Sequence, residues 1–315
     1  MITYKNHVIF LLSLIGALVL AYIGSLIFNS GIGSTRASSY SWLDSRTAEK
    51  INKIAINVYG ENTEINRKNN QWFVSNNGNE YLARQLRIED FISILTTRSA
   101  WTIRSSNAST HERFGLDGSI RVTIYGENNF PLLDLFLGSE DAAGRETYFR
   151  KAGSNEVRSG DNRVKTYITS PITSWYNLRL IPESEGDNID VKNVQRLSVY
   201  TEREVQVFTR RNRSWVISGI SVENPDISSI ESYIRQILTT EGDNFVDDVY
   251  FDDPMFNQTR IVLELDTGLV KTIRFNAPDE SGRRYAHVSG NEYVYSIPSW
   301  SAARLFREAV TFEMQ

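Results

Sequence analysis

Two stretches of the chain decide how its fold is interpreted: 61-ENTEINRKNNQWFVS-75 and, 143 residues later, 204-EVQVFTRRNRSWVIS-218. Each stretch alternates apolar and polar residues, passes through a short polar turn and resumes with a Trp, which is the pattern of a β-hairpin. Aligned without gaps, they share these identical pairs: Glu61 and Glu204, Arg67 and Arg210, Asn69 and Asn212, Trp72 and Trp215, Ser75 and Ser218. This shared frame predicts that one structural unit occurs twice.

The similarity continues outward from the two hairpins. The segment ILTT occurs at 94–97 and again, in the same frame, at 237–240. Further along, Tyr148 matches Tyr285 at an offset of 137, so the second copy is about six residues shorter. The Trp and Tyr pairs therefore serve as markers of equivalent structural positions in the two copies.

Each copy is predicted to be an α+β domain with mainly antiparallel strands. A β-meander opens the copy, and a helix follows near 82–97 or 227–240. Further strands come next, and a helical segment near 171–180 or 298–312 closes the copy. Runs of strands with few interspersed helices favour the α+β class and antiparallel pairing. The predicted boundaries of the two tandem repeats are 46–186 and 187–315.

An apolar segment precedes both repeats. Residues 8–28 (VIFLLSLIGALVLAYIGSLIF) carry no charge, and their length of about 21 residues, or roughly 31 Å as a helix, is enough to cross a bilayer. A cleaved signal peptide is the alternative, but its apolar region is normally shorter and an A-x-A site is missing. We predict a single-pass anchor within 1–28, then a Gly/Ser-rich tether over 29–45. Lys5 favours a cytoplasmic N-terminus and an exported body.

Small residues recur along one face of the predicted anchor. Residues of this kind at a spacing of four allow another helix to approach closely in lipid. The alternative is that the segment is merely rich in Ala and Gly, as many anchors are. The candidate packing residues are Ser13, Gly16, Ala17, Ala21, Gly24 and Ser25.

Composition excludes several classes of function. The chain has 34 Lys and Arg against 38 Asp and Glu, and the net charge of −4 argues against a nucleic-acid partner. It has no Cys, which excludes disulfides, Cys-type zinc sites and thiol nucleophiles. Charges nearly cancel in the first repeat, whereas the second has 14 cations and 20 acids. We infer that the two repeats face different surroundings.

Three groups of residues are candidates for chemistry, and each has a simpler interpretation. An acidic loop with hard oxygen ligands suits Ca²⁺ but lacks the spacing of an EF-hand, so a solvated loop is favoured. Basic residues before each Trp suit a phosphate or lipid headgroup, although a charged hairpin turn explains them equally well. No catalytic motif surrounds any histidine. The residues are Asp243, Asp247, Asp248, Asp252 and Asp253; Arg67, Lys68, Arg210, Arg211 and Arg213; and His7, His111 and His287.

The order of these features resembles a bacterial protein family, the domain-of-unknown-function family 4340. The motifs that carry the resemblance are a K-I-x-I strand at 53–56, a W-x-V step at 72–74, an F-G-L-D step at 114–117 and a Tyr-containing strand at 148–150. The second repeat lacks the G-L-D step and has Asp-Pro-Met-Phe at 253–256 instead. Members of this family often accompany ABC-type transport systems, including gliding-motility-associated ones. The resemblance therefore implies an accessory envelope protein and no catalytic residues.

Together these inferences predict a single-pass protein of the bacterial inner membrane whose body lies on the periplasmic side. The expected role is a non-catalytic accessory or scaffold subunit of an ABC-type transport assembly, without a cofactor or a metal. Its partners would be the lipid bilayer, the transmembrane subunit of the transporter and another envelope protein. An anchored module that binds a lipid or glycan is the alternative, and an envelope hydrolase is less favoured. A deep concave site would favour the ligand-binding module.

Overall fold

The computed structural model of the chain describes residues 38–76, 78–181, 189–212, 214–219, 222, 224–256 and 259–313. These residues form two compact units that divide between Pro171 and Ile172. The predicted anchor, with all its candidate packing residues, lies outside the described part. None of the described helices is long and apolar enough to cross a membrane.

Over the residues that the structure describes, the first unit has ten strands and three α-helices. The strands are β1 (Ser38–Tyr40), β2 (Lys53–Val58), β3 (Glu61–Lys68), β4 (Gln71–Asn76), β5 (Asn79–Leu82), β6 (Ser99–Ser105), β7 (Ile120–Tyr125), β8 (Pro131–Glu140), β9 (Glu146–Lys151) and β10 (Val157–Asp161). The helices are α1 (Ser45–Ala48), α2 (Gln85–Thr96) and α3 (Arg163–Ile168). The strands form one antiparallel sheet in the order β1-β6-β10-β9-β8-β7-β2-β3-β4-β5.

The second unit has a similar inventory. Its strands are β11 (Val194–Tyr200), β12 (Val205–Arg211), β13 (Ser214–Ser218), β14 (Asn244–Phe245), β15 (Thr259–Leu265), β16 (Val270–Phe275), β17 (Arg284–Val288) and β18 (Val294–Ile297). The helices are α4 (Ile227–Leu238) and α5 (Ser299–Leu305). The sheet is again antiparallel, in the order β13-β12-β11-β15-β16-β17-β18-β14.

The two strand orders correspond position by position. In the first unit β4-β3-β2-β7-β8-β9-β10-β6 follows the same path through the sheet as β13-β12-β11-β15-β16-β17-β18-β14 in the second. The first unit adds β5 at one edge and β1 at the other. Both units are therefore large antiparallel sheets with few helices, which confirms the predicted antiparallel pairing and fits an α+β or a mainly β class.

Alternating burial along the central strands explains the core of each unit. In β2, Ile54 and Ile56 are buried, while the residues on either side of each lie nearer the surface. One face of α4 is likewise buried: it carries Ile230, Ile234 and Ile237, at helical spacing. The Asp226 carboxylate caps that helix by accepting the Ser228 N–H at 2.9 Å.

The hairpins quoted at the outset have turns of the same length in both units. Each turn has two residues between paired positions, and Asn69, Asn70 and Asn212 have φ angles of 49°, 68° and 60°. A two-residue hairpin needs left-handed backbone to match the strand twist, and Asn tolerates this conformation better than most residues. The left-handed backbone at this turn position therefore explains why Asn occurs there in both hairpins.

The segment that was predicted to close the first repeat behaves differently. The α-helix of this region is α3, which directly follows β10, and only a 3₁₀ turn, Ile172–Trp175, lies within the predicted helix. Buried Trp175 and Tyr176 belong to the second unit, where the Leu180 N–H donates to the Thr240 carbonyl at 3.0 Å. The end of the predicted tether is also folded, because β1 lies within it and α1 begins at its last residue.

Candidate binding cleft

A cleft of about 660 Å³ opens in the second unit, near the ends of β11, β12 and β17. This volume lies in the range typical of small-molecule sites. Strand β12 supplies one wall, β17 another, and the segment after α5 a third. The residues that give the cleft its chemistry are Glu202, Glu204, Gln206, Arg284, Phe306 and Arg307.

Gln206 is the buried polar residue of this cleft. It lies on the core-facing side of β12 and is only 2% exposed. Its amide nitrogen donates to the Glu204 carboxylate and, at 3.0 Å, to the Arg307 carbonyl. Its amide oxygen, Oε1, has no hydrogen-bond partner among the described residues. A buried acceptor without a hydrogen-bond donor is costly to the fold.

Arg284 is the half-buried cation of the cleft. Its Nη1 donates to the Asn276 carbonyl at 2.5 Å, and its guanidinium lies 4.9 Å from the centre of the Phe306 ring. Phe306 itself packs edge-on against Phe275, at 5.1 Å between ring centres. Within the described part of the chain, Arg284 forms no ion pair. Burial lowers the pKa of this guanidinium below its ordinary value, and the charge of Glu202 opposes that effect.

The remaining charges of the cleft balance one another. Glu202, Glu204 and Glu308 face Arg203, Arg284 and Arg307 around the rim. Arg307 is held elsewhere, because its Nη2 donates to the Gln236 side chain at 2.9 Å. Of the three arginines, Arg284 is the one whose guanidinium lies against an aromatic ring of the cleft. Its Nε and Nη2 have no hydrogen-bond partner among the described residues.

The first unit has a smaller cleft, of about 280 Å³, beside an aromatic cluster. Trp101 stacks on Tyr40 at 5.1 Å and meets Phe149 edge-on at the same distance. The Arg158 guanidinium lies 5.0 Å from the Tyr40 ring and pairs with Glu156 at 2.5 Å. These contacts hold β1 on the sheet, so the cluster has a structural role.

The F-G-L-D step is also structural. Phe114 packs on Tyr148 with 4.7 Å between ring centres, and Leu116 is buried over Gly138 of β8. In the second unit the Asp-Pro-Met-Phe segment buries Phe256 beside β15 and β16. In each unit, a buried apolar side chain therefore holds the segment before the next strand, β7 or β15, against the sheet.

The marker Trp residues are buried under their charged turns. Trp72 is 4% and Trp215 2% exposed, and the guanidinium groups of Arg67 and Arg210 lie 5.9 and 5.4 Å from their rings. Arg210 also donates to the Lys192 carbonyl at 2.7 Å and pairs with Glu231 at 3.2 Å. Its charge is therefore engaged within the fold. Tyr148 and Tyr285 occupy equivalent places in β9 and β17 and are half-buried.

The acidic loop does not bring its carboxylates together. Asp243 pairs with Arg283 at 2.6 Å, and the Asp253 carboxylate accepts the Met255 N–H at 2.9 Å. Over the described residues, no group of three or more His, Cys, Asp or Glu side chains is arranged to hold a metal ion. An ion pair and a turn hydrogen bond thus account for these two acidic side chains.

The two histidines that the structure describes belong to different units. His111 Nε2 is 3.1 Å from the Asn155 carbonyl, and His287 Nε2 is 2.9 Å from the Asn291 carbonyl. His287 also stacks on Phe251, with 5.1 Å between ring centres. His7 lies outside the described residues. The structure therefore places each described histidine in a separate, local environment.

The family model described as "Domain of unknown function (DUF4340)" matches residues 72–254, more than half of the chain. The chain therefore belongs to this family, which confirms the resemblance seen in the sequence. The matched range includes the hairpin Trp residues of both units. No curated protein and no solved structure is significantly similar to the chain.

The residues of the second-unit cleft carry no motif that is visible in the sequence. Gln206, Arg284 and Phe306 are far apart in the chain and meet only because β12 and β17 end near the segment after α5. One local signal was present: Gln206 occupies a core-facing position of an alternating strand, where an apolar residue is expected. A polar residue at such a position points to an internal hydrogen-bonding role.

Proposed function

We propose that this chain is a non-catalytic, membrane-anchored accessory subunit of an envelope transport assembly. The uninterrupted apolar segment 8–28 would insert in the inner membrane and dock on a transmembrane subunit of an ABC-type transporter. Both folded units would lie on the periplasmic side and engage a further envelope protein. The proposal rests on one observation: an apolar segment long enough to cross a membrane precedes the residues that match this family.

The pattern of shared and differing residues supports a scaffold role. Features common to the two units serve the fold: the buried Trp, its stacked Arg and the Asn turn. We infer from these, and from the common strand order, that the units arose by duplication. What differs between them is their surface charge and their clefts. Duplicated units that keep a core and change their surfaces are suited to binding different neighbours.

An anchored ligand-binding module is the second candidate. The specific observation in its favour is the 660 Å³ cleft with its half-buried Arg284. The two roles are compatible, since an accessory subunit can present a bound ligand to a transporter.

Docking through the anchor predicts a steric effect of added bulk. Ala17→Ile combined with Ala21→Ile keeps the segment apolar but prevents close approach of a second helix. The expected loss is on the order of 1–2 kcal/mol per disrupted contact, because helix association in lipid depends on packing. The measurement is the recovery of the transmembrane transporter subunit with the tagged full-length chain in mild detergent.

The matched control places Ile on other faces of the same helix, as Leu12→Ile with Val19→Ile. Membrane insertion should be equal for both double variants, and only the first should lose the transporter subunit. Equal recovery from the two would show that the small-residue face does not dock, and the anchor would then be only a tether.

A further inference from the structure

We propose that the second unit binds a phosphate group between Arg260 of β15 and Arg274 of β16, on the face of the sheet that is turned away from the core. The two guanidinium groups and the Thr272 hydroxyl would donate hydrogen bonds to the phosphate oxygens. The residues of this site are not those of the cleft that contains Arg284. The inference does not depend on docking through the anchor.

The two arginines form a pair of like charges. Arg260 and Arg274 are directly opposite each other on neighbouring antiparallel strands, so their side chains leave the sheet on the same face. Both are exposed, whereas their chain neighbours Ile261 and Ile273 are fully buried. Like charges directly opposite each other destabilise a sheet. An anion bound between them would replace this repulsion by attraction.

Within the described part of the chain, no acidic side chain neutralises this pair. The other residue opposite Arg260 is Tyr200, and the other residue opposite Arg274 is His287. The Arg260 guanidinium lies 4.2 Å from the centre of the Tyr200 ring, a contact that does not use its N–H donors. Neither arginine forms an ion pair or a side-chain hydrogen bond with another described residue. Both guanidinium groups are therefore available to an anion.

A pocket of about 260 Å³ lies at this pair. Its lining consists of the two arginines together with Phe256, Val262 and Thr272. The Thr272 hydroxyl has no hydrogen-bond partner among the described residues. A phosphate group has enough acceptor oxygens for two guanidinium groups and one hydroxyl, and its charge of nearly two matches that of the two arginines.

The first unit shows how an anion fits at this position. Asn57 lies opposite Arg121 of β7. Tyr200, which matches Asn57 at the repeat offset of 143, lies opposite Arg260 of β15, so the two arginines are equivalent. In the first unit the Asp134 carboxylate accepts two hydrogen bonds from Arg121, from Nε at 2.9 Å and from Nη2 at 2.6 Å. These hydrogen bonds lower the pKa of Asp134, so this position stabilises a negative charge.

The second unit lacks that carboxylate and has an additional cation. Opposite the common arginine, the first unit has Phe136 and the second has Arg274. Two residues earlier on the same strand, the first unit has Asp134 and the second has Thr272. The second unit therefore loses one negative charge and gains one positive charge at the same place. A bound phosphate would take the place of the missing carboxylate.

The test is calorimetric titration of the full chain in detergent micelles. The probes are inorganic phosphate, glycerol 3-phosphate, dioctanoyl phosphatidic acid and acetate. At least one of the three phosphates should bind saturably, and acetate should bind at least about tenfold more weakly, because it carries a single charge. Two sources share this chemistry. Phosphatidic acid that binds at least about tenfold more tightly than glycerol 3-phosphate would identify a lipid headgroup, and a smaller difference would identify a soluble phosphate.

Variants assign the site. Thr272→Asp places a carboxylate where the first unit has Asp134 and should abolish binding, whereas neutral Thr272→Asn should keep the affinity within about threefold. Arg260→Gln and Arg274→Gln should each weaken binding by about tenfold or more. The matched control is Arg211→Gln, since Arg211 is an exposed Arg of the same unit that does not line this pocket, and it should have no effect.

Circular dichroism checks that each variant is folded. The proposal is overturned if none of the three phosphates binds the natural chain, or if acetate binds equally well. It is also overturned if Thr272→Asp binds as tightly as Thr272→Asn, or if Arg211→Gln has the same effect as Arg274→Gln.

Discussion

Replacing Trp215 with Ala is expected to lower the free energy of unfolding by about 3–5 kcal/mol, the usual cost of truncating a large buried aromatic side chain. The ring is 2% exposed and lies beneath the Arg210 guanidinium at 5.4 Å. Truncation removes the apolar contacts of the ring and leaves a cavity next to Phe208, which is fully buried on the neighbouring strand. Trp72→Ala should have a similar effect, because Trp72 has the same position in the first unit.

The measurement is denaturant unfolding of the full chain in detergent, followed by circular dichroism. Val216→Ala is the matched control, since Val216 is the next residue of the same strand but is exposed. It should change stability by less than about 0.5 kcal/mol, as surface substitutions usually do. A loss below about 1 kcal/mol for Trp215→Ala would contradict a structural role for the ring and would favour a role in binding.

Gly138→Ala is expected to destabilise the first unit by about 1–3 kcal/mol, which is the range for overpacking a dense site. A Cβ at this position would lie 2.1 Å from the Phe114 carbonyl oxygen and 3.1 Å from the Leu116 side chain. The first contact is with backbone, so the F-G-L-D segment would have to move away from β8. This prediction tests whether that segment is pinned to the sheet.

Whether Gly138→Ala stabilises or destabilises the protein depends on the contact with Phe114, because the backbone at Gly138 is compatible with Ala. Its φ does not lie in the left-handed region, so Ala would be tolerated by the backbone itself. Without the close approach of Phe114, a Gly→Ala change of this kind should stabilise the protein by about 0.4–1 kcal/mol through the unfolded state. Thermal unfolding of the full chain distinguishes the two cases, and an increase in melting temperature would contradict the packing described here.

Several elements of the fold could be predicted from the sequence because turn residues and apolar periodicity within a short segment determine them. The hairpin around Trp72 combines alternation with a turn of two Asn residues in left-handed backbone, and all of this information lies within 61–75. The helix over 227–238 was predictable for the same reason, since its apolar residues repeat at helical spacing. These elements need no distant contact to be recognised.

The errors concern short elements that depend on distant contacts. Helix α3 has only six residues, and buried Val164 and Ile168 give too short an apolar stripe to stand out. The segment after it is rich in apolar residues, and it packs into the second unit, where Gly242 donates to the Leu178 carbonyl at 2.8 Å. Its apolar pattern indicated burial correctly but did not indicate which unit would bury it.

The cleft shows a different limit. Gln206 and Arg284 are on separate strands, β12 and β17, which are not neighbours in the sheet. Their common cleft is completed by Phe306, from a segment beyond α5. No spacing in the sequence predicts that these three residues line one cleft, because their positions depend on the strand order of the whole sheet. Only the polar residue at a core-facing strand position was visible in advance.

We propose that the chain is held in the inner membrane with both folded units outside the cytoplasm. Because the natural chain has no Cys, single Cys residues can be labelled without background. Tyr59→Cys and Tyr250→Cys test one unit each, since these side chains are 76% and 75% exposed, and Tyr4→Cys tests the predicted cytoplasmic end.

The measurement is labelling with a membrane-impermeant maleimide in intact and in lysed spheroplasts. We expect Tyr59→Cys and Tyr250→Cys to be labelled as completely in intact spheroplasts as after lysis, and Tyr4→Cys to be labelled only after lysis. Labelling of Tyr59→Cys and Tyr250→Cys only after lysis would contradict it, because both units would then lie in the cytoplasm.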